Sequence, residues 1–368
     1  MSQRLKVLVV AGARPNFMKV APLLRVLDAR EHRGVLVHTG QHYDEQMSEA
    51  FFRDLEMPAP DHHLGVGSGS HAVQTARVME AFEPVLQEES PDWVVVVGDV
   101  NSTLACALVT VKLKEELGTG LAHVEAGLRS GDWRMPEEVN RVLTDRMSDL
   151  LLTPSRGARP NLLAEGIPEE RIRFVGNIMI DTLLHQLPLA RERRFPAELG
   201  LEPGSYALAT LHRPSNVDTE ETLRTALEAL GAAAHRCPVV LPIHPRTRGN
   251  AQQFGLEHLL EELIVVPPLG YREMVSLLDG ASVVLTDSGG LQEETTALGI
   301  PCVTLREQTE RPVTLEEGTN RMVDWPLSVD GVVQAMEAAL AADSSTASRP
   351  EGWDGHAAPR IVDALEAG

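Results

Sequence analysis

The sequence contains few cysteines, the residues that define disulfide-rich proteins and many zinc sites. Its 368 residues include three cysteines, Cys106, Cys237 and Cys302, which lie far apart in apolar segments. We therefore expect buried core thiols rather than disulfides or metal ligands. The chain also lacks zinc-ligand spacing, a Walker lysine and a nucleophile elbow. These absences argue against zinc enzymes, P-loop NTPases and hydrolases with that elbow.

Positive charge is scarce as well. The chain has 33 Lys and Arg residues against 53 Asp and Glu residues, which gives a net charge of −20. Nucleic acid and anionic membranes are therefore not expected as main partners. Any phosphate site must be built from a few placed cations and helix ends. Because we find neither a signal peptide nor an apolar run of spanning length, we expect a cytoplasmic protein.

The length and the alternation of strand and helix patterns predict an α/β protein with two domains. The simplest architecture is two Rossmann-like domains facing a central cleft. We predict an N-terminal domain at 1–190 and a C-terminal domain at 191–355, with a polar linker over 191–204. The predicted strands are 5–10, 35–38, 93–97, 121–124, 206–211, 239–243, 264–266, 283–286 and 302–305.

One stretch, Thr286 to Glu294, combines a strand end, a Ser-Gly-Gly turn and a predicted helix start. Asp287 or Ser288 can cap the helix, and the paired glycines let a ligand approach the backbone. Free N–H groups and the helix dipole at such a turn favour an anion. Glu294, one turn into the helix, can accept hydrogen bonds from sugar hydroxyls. The alternative interpretation is an ordinary turn between a strand and a helix.

Polar side chains follow nearly every predicted strand. Ligands of open α/β sheets bind outside the carboxyl ends of the strands. The set contains basic groups suited to a diphosphate and carboxylates suited to proton transfer. It comprises Arg14, Gln41, His42, Asp99, Glu125, His212, Arg213, His244, Ser288, Gly289, Gly290, Thr309, Glu310 and Arg311.

Several of these residues stand in motifs with a family resemblance. The motifs are Gly12-Ala13-Arg14-Pro15, Gly98-Asp99, His123-Val124-Glu125-Ala126-Gly127-Leu128-Arg129, Pro136-Glu137-Glu138-Val139-Asn140-Arg141, Leu211-His212-Arg213 and Thr309-Glu310-Arg311-Pro312. In order and spacing the chain resembles the non-hydrolysing UDP-N-acetylglucosamine 2-epimerases. The resemblance implies a fold of the GT-B type, in which the last helix, at 356–368, returns to the first domain. It also implies a homodimer.

The resemblance implies inversion at C2 of a UDP-linked 2-acetamido sugar. The C2–H bond is not next to a carbonyl and is not usefully acidic. Members of the family therefore eliminate UDP to give a 2-acetamidoglucal and add UDP back, with the proton delivered to the opposite face. The route uses neither nicotinamide nor metal, so no cofactor is expected. The products would supply precursors of cell-surface polysaccharide.

The resemblance also assigns roles to residues. Asp99, Glu125 and Glu137 would be the acid–base carboxylates, and His212 would assist at the phosphate end. Arg14, Ser288, Gly289 and Gly290 would hold the diphosphate, and Glu294 the ribose. Lys19, Arg141 and Arg311 are further substrate-binding candidates that could instead be structural ion pairs. Arg213 and His244 complete the predicted UDP-sugar site.

Other functions stay open at this point. A GT-B glycosyltransferase shares the fold but has less use for three carboxylates. A hydrolysing epimerase is disfavoured by the Arg14-Pro15 turn, and a UDP-sugar-binding regulatory protein by the intact carboxylates. A diacetamido-uronic acid sugar nucleotide could replace UDP-N-acetylglucosamine as the substrate.

Four positions depart from the commonest pattern of the family. Tyr43 and Pro214 stand where arginine is usual, and Ser215 and Val313 where glutamate is usual. Many bacterial members carry a second UDP-N-acetylglucosamine that activates them, bound by segments after Gln41-His42 and after His212-Arg213. Two fewer cations should weaken a second anion site. We therefore predict an enzyme without this activation.

Overall fold

The computed structural model describes residues 4–40, 52–342 and 349–368, and of Arg14 only the backbone. Contacts divide the chain into two compact units. The first unit comprises Met1–Thr182 and Glu351–Gly368, and the second comprises Leu183–Pro350. The division falls eight residues before the predicted boundary at 190/191.

The first unit consists of alternating strands and helices, and its last helix before the division continues into the second unit from Leu183. They are β1 (Lys6–Ala11), α1 (Arg14–Ala29), β2 (Arg33–His38), β3 (His62–His63), α2 (His71–Glu89), β4 (Trp93–Val97), α3 (Asn101–Leu117), β5 (Gly120–Val124), α4 (Pro136–Met147), β6 (Leu150–Thr153), α5 (Ala158–Ala164), β7 (Ile172–Phe174) and α6 (Ile178–Arg193). A 3-10 turn at Glu169–Arg171 precedes β7.

The strands of the first unit form one parallel sheet in the order β3-β2-β1-β4-β5-β6-β7. Its central strands are continuous apolar runs, such as Val94 to Val97, which are at most 1% exposed. Such runs are typical of a parallel sheet that is covered on both faces. The strand order reverses between β1 and β4, which is where Rossmann-like folds bind their ligands.

The second unit repeats this architecture. Its elements are α7 (Phe195–Glu198), β8 (Ala207–Thr210), α8 (Pro214–Val217), α9 (Glu220–Ala234), β9 (Val239–Pro242), α10 (Pro245–Gln253), β10 (Ile264–Val266), α11 (Tyr271–Gly280), β11 (Val283–Thr286), α12 (Gly289–Leu298), β12 (Cys302–Thr304), α13 (Val313–Glu316), β13 (Asn320–Met322) and α14 (Val329–Ala341), with a 3-10 turn at Glu257–Leu260. The parallel sheet has the order β10-β9-β8-β11-β12-β13. It therefore reverses between β8 and β11.

A final helix, α15 (Ala357–Ala367), belongs to the first unit. Asp181 accepts hydrogen bonds at the start of α15 from the backbone N–H groups of Ala357 (3.0 Å) and Ala358 (2.7 Å). The buried Trp353 donates from Nε1 to the carbonyl of Pro154 at 3.1 Å. These contacts attach the end of the chain to the first unit.

The predicted α/β class with two Rossmann-like domains is confirmed, and several details were wrong. Much of the linker predicted over 191–204 is helical, because it contains the end of α6 and the short helix α7. Arg191 forms an ion pair with Asp279 at 2.8 Å there and is 60% exposed, so the polar composition marked the solvated face of a helix. Strands β3, β6, β7 and β13 were not predicted, and all have four residues or fewer.

The cysteines form no disulfide. Cys106 and Cys302 are buried as predicted, whereas Cys237 is partly exposed. Burial raises the pKa of the Cys302 thiol to about 12, as expected for a core residue. No helix within the described ranges is long and apolar enough to cross a membrane.

Candidate functional site

In the first unit, the turn after β1 is organised by Asn16, which the sequence analysis did not select. Its Oδ1 accepts hydrogen bonds from the N–H groups of Gly12 (3.0 Å) and Ala13 (2.9 Å). Its Nδ2 donates to the carbonyl of Val97, the last residue of β4, at 3.1 Å. One buried amide therefore joins the two strand ends that flank the point of reversal. The backbone of Arg14 begins α1 directly after this turn.

Asp99 follows β4 and is held by two residues of α4. The guanidinium of Arg141 donates to Asp99 Oδ2 and, at 2.7 Å, to Glu138 Oε2. Arg141 is 3% exposed, and the side chain of Asp99 is 32% exposed. Asn140 Nδ2 donates to the backbone carbonyl of Asp99 at 2.9 Å. The carboxylate of Asp99 is thus held by Arg141 and is still partly exposed to solvent.

Glu125 follows β5 and has an unusual environment. Its Oε2 accepts a hydrogen bond from Lys19 Nζ at 2.5 Å, and both side chains are less than 10% exposed. Its Oε1 is buried without a hydrogen-bond partner among the described residues. Its φ of +72° is strained for a residue other than glycine, and such strain is concentrated at functional sites.

Gly98 makes this arrangement possible. A Cβ atom at this position would lie 2.8 Å from Lys19 Nζ and 3.5 Å from Glu125 Oε2. Only glycine leaves room for the ion pair and also adopts the φ of +66° found here.

Glu137 lies in the first turn of α4 and is half-buried. Within the described part of the chain its side chain makes no hydrogen bond or ion pair. It therefore differs from Asp99 and Glu125, each of which has a cation as partner.

In the second unit, Asp287 links the ends of β8 and β11. The sequence analysis considered this residue as a helix cap, but it is fully buried and turned toward β8. It accepts hydrogen bonds from the N–H groups of His212 and Arg213, both at 2.9 Å, and contacts His212 Nδ1 at 2.7 Å. Burial alone would raise the pKa of Asp287, but these interactions outweigh it and lower the pKa. His212 is thereby oriented, and its side chain is 39% exposed.

Ser288 caps α12, since its hydroxyl accepts from the N–H of Leu291 at 3.5 Å. Gly289 and Gly290 occupy the first two helical positions, whose N–H groups have no partner within a helix. A Cβ atom on Gly289 would lie 2.6 Å from Arg311 Nη1. The absent side chain at residue 289 therefore makes room for the guanidinium of Arg311 at the helix N-terminus.

Three arginines gather beside this helix end around one buried carboxylate, Glu310. Arg213, Arg306 and Arg311 contact Glu310 at 3.5, 2.7 and 2.5 Å. Burial would raise the pKa of Glu310, but the three guanidinium charges outweigh it and hold the pKa well below its usual range. Arg311 also pairs with Glu293 at 2.9 Å. The cluster has one cation more than its two carboxylates, which suits an anionic ligand.

Arg306 is a member of this cluster that the sequence analysis missed. It follows β12 and is 7% exposed. Its Nη1 atom is buried with no hydrogen-bond partner among the described residues. Burial and repulsion by Arg213 and Arg311 lower the pKa of Arg306, against the effect of Glu310. Its position after a strand was the one available signal.

Glu294 is nearly fully buried, and its Oε1 accepts a hydrogen bond from Tyr271 Oη at 2.8 Å. Burial, together with the charge of Glu293, raises the pKa of Glu294 to about 7, although the bond from Tyr271 lowers it. Tyr271 was not selected from the sequence. His244 caps α10 and is exposed, with its ring centroid 6.0 Å from that of His212.

The predicted residues thus separate into two groups. Lys19, Asp99, Glu125, Glu137 and Arg141 belong to the first unit, together with Arg14. The other candidates that the structure describes belong to the second unit. Gln41, His42 and Tyr43 lie outside the described residues. Within the described ranges no three His, Cys, Asp or Glu side chains are grouped as metal ligands would be.

Comparisons with known proteins show which proteins the chain resembles. The profile of a family described as UDP-N-acetylglucosamine 2-epimerase matches residues 25–366. A UDP-N-acetylglucosamine 2-epimerase of Methanococcus maripaludis is 42% identical over 324 residues, covering 86% of this chain and 87% of the relative. A UDP-2,3-diacetamido-2,3-dideoxy-D-glucuronate 2-epimerase of Pseudomonas aeruginosa is 43% identical over 323 residues, covering 87% of this chain and 88% of the relative.

A solved structure is similar over the whole length. It is the Methanocaldococcus jannaschii UDP-GlcNAc 2-epimerase in complex with UDP-GlcNAc and UDP, with a TM-score of 0.91 and 40% identity. The match covers 99% of this chain and 100% of that one. Taken with the profile match, these similarities show that the chain belongs to the UDP-N-acetylglucosamine 2-epimerase family.

Proposed function

We propose that this protein interconverts UDP-N-acetylglucosamine and UDP-N-acetylmannosamine by inversion at C2, without net hydrolysis. The observation that carries the proposal is the pair of strand ends in the first unit, where Asp99 and Glu125 each have a cation as partner. Epimerisation needs one group that removes the C2 proton and another that delivers a proton to the opposite face. Relatives named for this reaction are 42% identical to the chain.

In the proposed reaction, a carboxylate takes the C2 proton and the electron pair of that bond forms the C1–C2 double bond. The C1–O bond breaks, and UDP leaves with its electrons. Re-addition reverses these changes with a proton delivered to the other face of C2. Asp99, Glu125 and Glu137 are the candidates for both proton transfers, each of which contributes ~10²–10⁴-fold to the rate.

The second unit is proposed to hold UDP between the two steps. Arginines at the N-terminus of α12 suit a diphosphate, because guanidinium groups and free N–H groups both donate to phosphate oxygens. His212, oriented by Asp287, would assist at the leaving phosphate. Arg14, Lys19, Arg141, Arg213 and His244 complete the proposed UDP-sugar site, with Glu294 at the ribose.

Proton NMR of the reaction in heavy water tests the proposal. Because the proton removed is not the one returned, both epimers should gain deuterium at C2. UDP-N-acetylmannosamine formed without solvent deuterium would contradict elimination. Release of free N-acetylmannosamine would instead indicate a hydrolysing enzyme.

A second candidate substrate is a UDP-2,3-diacetamido uronate, because the Pseudomonas aeruginosa relative named for it is 43% identical. Parallel assays with the two sugar nucleotides at equal concentration would separate the candidates through their kcat/KM values. We further propose a cytoplasmic homodimer that supplies polysaccharide precursors, supported by the family resemblance and testable by fractionation and light scattering.

A further inference from the structure

A buried histidine connects the ends of β4 and β5 in the first unit. His123, on β5, has no exposed surface, and both of its ring nitrogens are bonded. Nε2 lies 2.8 Å from the backbone carbonyl oxygen of Gly98. Nδ1 lies 2.6 Å from Oδ1 of Asp145, which is also fully buried.

The hydrogen-bond partners of the His123 ring show which of its nitrogens carry a proton. A carbonyl oxygen only accepts, so Nε2 carries a proton and donates it to Gly98. The contact between Nδ1 and Asp145 Oδ1 needs a second proton, because two bare acceptors would repel each other. The pair of His123 and Asp145 therefore shares that proton and has no net charge.

The other oxygen of Asp145 is bonded as well. Oδ2 accepts hydrogen bonds from the backbone N–H of Gly127 at 3.0 Å and from Arg129 Nη1 at 2.7 Å. Arg129 is anchored in turn by Glu165, with Nε 2.6 Å from Oε1. Together with His123, these groups give Asp145 three hydrogen-bond donors, which offset the cost of burying its carboxylate.

These bonds end at the two segments that carry the acid–base candidates. Gly98, which precedes Asp99, is held on both sides, because its N–H also donates to Val124 at 3.0 Å. Glu125 lies between His123 and Gly127, both of which Asp145 holds. Since Glu125 has a strained φ of +72°, the surrounding contacts must stabilise it.

We propose that Asp145 and His123 are positioning residues that hold Asp99 and Glu125 in the positions needed for proton transfer at C2. The proposal rests on the proposed epimerase function. Both side chains are fully buried, so their effect is transmitted through the backbone of Gly98 and Gly127. A small displacement of a reacting group can cost on the order of 10²-fold in rate.

Asp145→Asn is the first test. An asparagine can still accept from Gly127, but its amide faces Nδ1, which must then accept, so the shared proton is lost without a change in size. We expect kcat to fall about 10–100-fold while the affinity for UDP, a ligand of the second unit in our proposal, stays within twofold.

Asp149→Asn is the matched control. Asp149 accepts from the N–H of Leu121, at the other end of β5, at 3.0 Å and from Lys114 at 2.5 Å. It is therefore also a carboxylate that joins a cation to the same strand. We expect its replacement to change kcat by less than threefold.

Amide hydrogen exchange gives a readout that needs no substrate. In Asp145→Asn, exchange should become faster at residues 98–100 and 125–128 and stay unchanged at 120–122. Two variants of His123 cover the case in which Asp145→Asn does not fold. His123→Gln can still donate to Gly98, whereas His123→Leu cannot, and the two are compared by the same measurements. Greater loss of kcat in His123→Leu than in His123→Gln is expected.

The outcomes separate the two proposals. Variants with wild-type kcat and exchange would overturn the positioning role, as would an equal loss of kcat in Asp149→Asn. A wild-type enzyme that epimerises no UDP-sugar would contradict the proposed function, whereas the exchange comparison would still decide whether Asp145 holds the strand ends.

Discussion

Both sheets of the molecule reverse their strand order at corresponding places, between β1 and β4 in the first unit and between β8 and β11 in the second. The residues at the two places differ. The first unit has the carboxylates Asp99 and Glu125, each with its own cation. The second has three arginines around Glu310 at the N-terminus of a helix. One topology thus supports a site suited to proton transfer and a site suited to an anion.

Ion pairs with similar partners leave different groups exposed to solvent at the two places. In the first unit the cations are buried and the carboxylate of Asp99 is partly exposed. In the second unit Glu310 is buried, and Arg213 is the partly exposed partner. The group that reaches solvent is therefore an anion at one site and a cation at the other. This contrast predicts that variants in the two units change different kinetic constants.

The largest expected effect is on the rate. Asp99→Asn and Glu125→Gln should each lower kcat by ~10²–10⁴-fold, because an amide keeps the size of a carboxylate but cannot exchange its proton. The affinity for UDP, measured by calorimetry, should stay within a few-fold. Asp28→Asn, at an exposed position of α1, is the control. If UDP affinity fell along with kcat, the division of roles between the units would be wrong.

A smaller effect is expected on UDP binding. The Cβ atom of Gly289→Ala would come within 2.6 Å of Arg311 Nη1 and 3.3 Å of Glu310 Oε1, so Arg311 must move. We expect UDP to bind more weakly by roughly 1–3 kcal/mol, the range of a charge-assisted hydrogen bond.

Gly249→Ala, where an added Cβ meets nothing within 4 Å, is the matched control in the same unit. Unchanged UDP affinity in Gly289→Ala would place the nucleotide away from α12.

The sequence predicted the apolar strands well, because buried parallel strands are continuous apolar runs. Trp93–Val97, Ile264–Val266 and Val283–Thr286 have the predicted bounds. It failed at short strands such as Asn320–Met322, whose three residues are mixed in polarity and form no apolar run. The predicted linker failed because surface polarity does not distinguish a solvated helix from a connection.

For the site, the strand-end rule selected residues but not their partners. Asp287 and Arg306 interact with residues that are distant in sequence, such as His212 and Arg213, so no local pattern reveals these partners. Tyr271 is the first residue of a helix, and its sequence position indicates only a core aromatic residue. Its hydrogen bond to Glu294 is known only from the structure. Ion pairs between segments follow from the fold and could not be derived before it.

The third prediction concerns pH and stability. Burial raises the pKa of Glu294 from 4.5 to about 7. Between these values the folded protein holds a proton that the unfolded chain has released, so stability falls as the pH rises through this window. The loss amounts to on the order of 3 kcal/mol and is complete above pH 7.

Glu294→Gln should abolish this part of the pH dependence, which urea unfolding midpoints at pH 5 and pH 8 would show. The exposed Glu228→Gln is the control and should behave as the wild type does. A Glu294→Gln variant with the wild-type difference between the two pH values would contradict the assignment.

The smallest expected effect is the absence of activation by a second nucleotide. A second diphosphate needs added positive charge to offset repulsion by the first. Family members that are activated usually have arginines where this chain has Pro214 and Tyr43, and Tyr43 lies outside the described residues. Pro214, the first residue of the short helix α8, also has no backbone N–H to donate to a phosphate.

The alternative is that another arginine of the second unit replaces the missing ones. Arg246 and the exposed Arg248 are the candidates. The guanidinium of Arg246 pairs with Asp218 at 2.5 Å, so its charge is already offset by a carboxylate. We therefore expect hyperbolic kinetics and a reverse reaction from UDP-N-acetylmannosamine that starts without a lag. Progress curves with and without a trace of UDP-N-acetylglucosamine check this expectation. A reverse reaction that does not start until the trace is added would show that a second site exists. Arg246→Ala and Arg248→Ala would then test which arginine forms it.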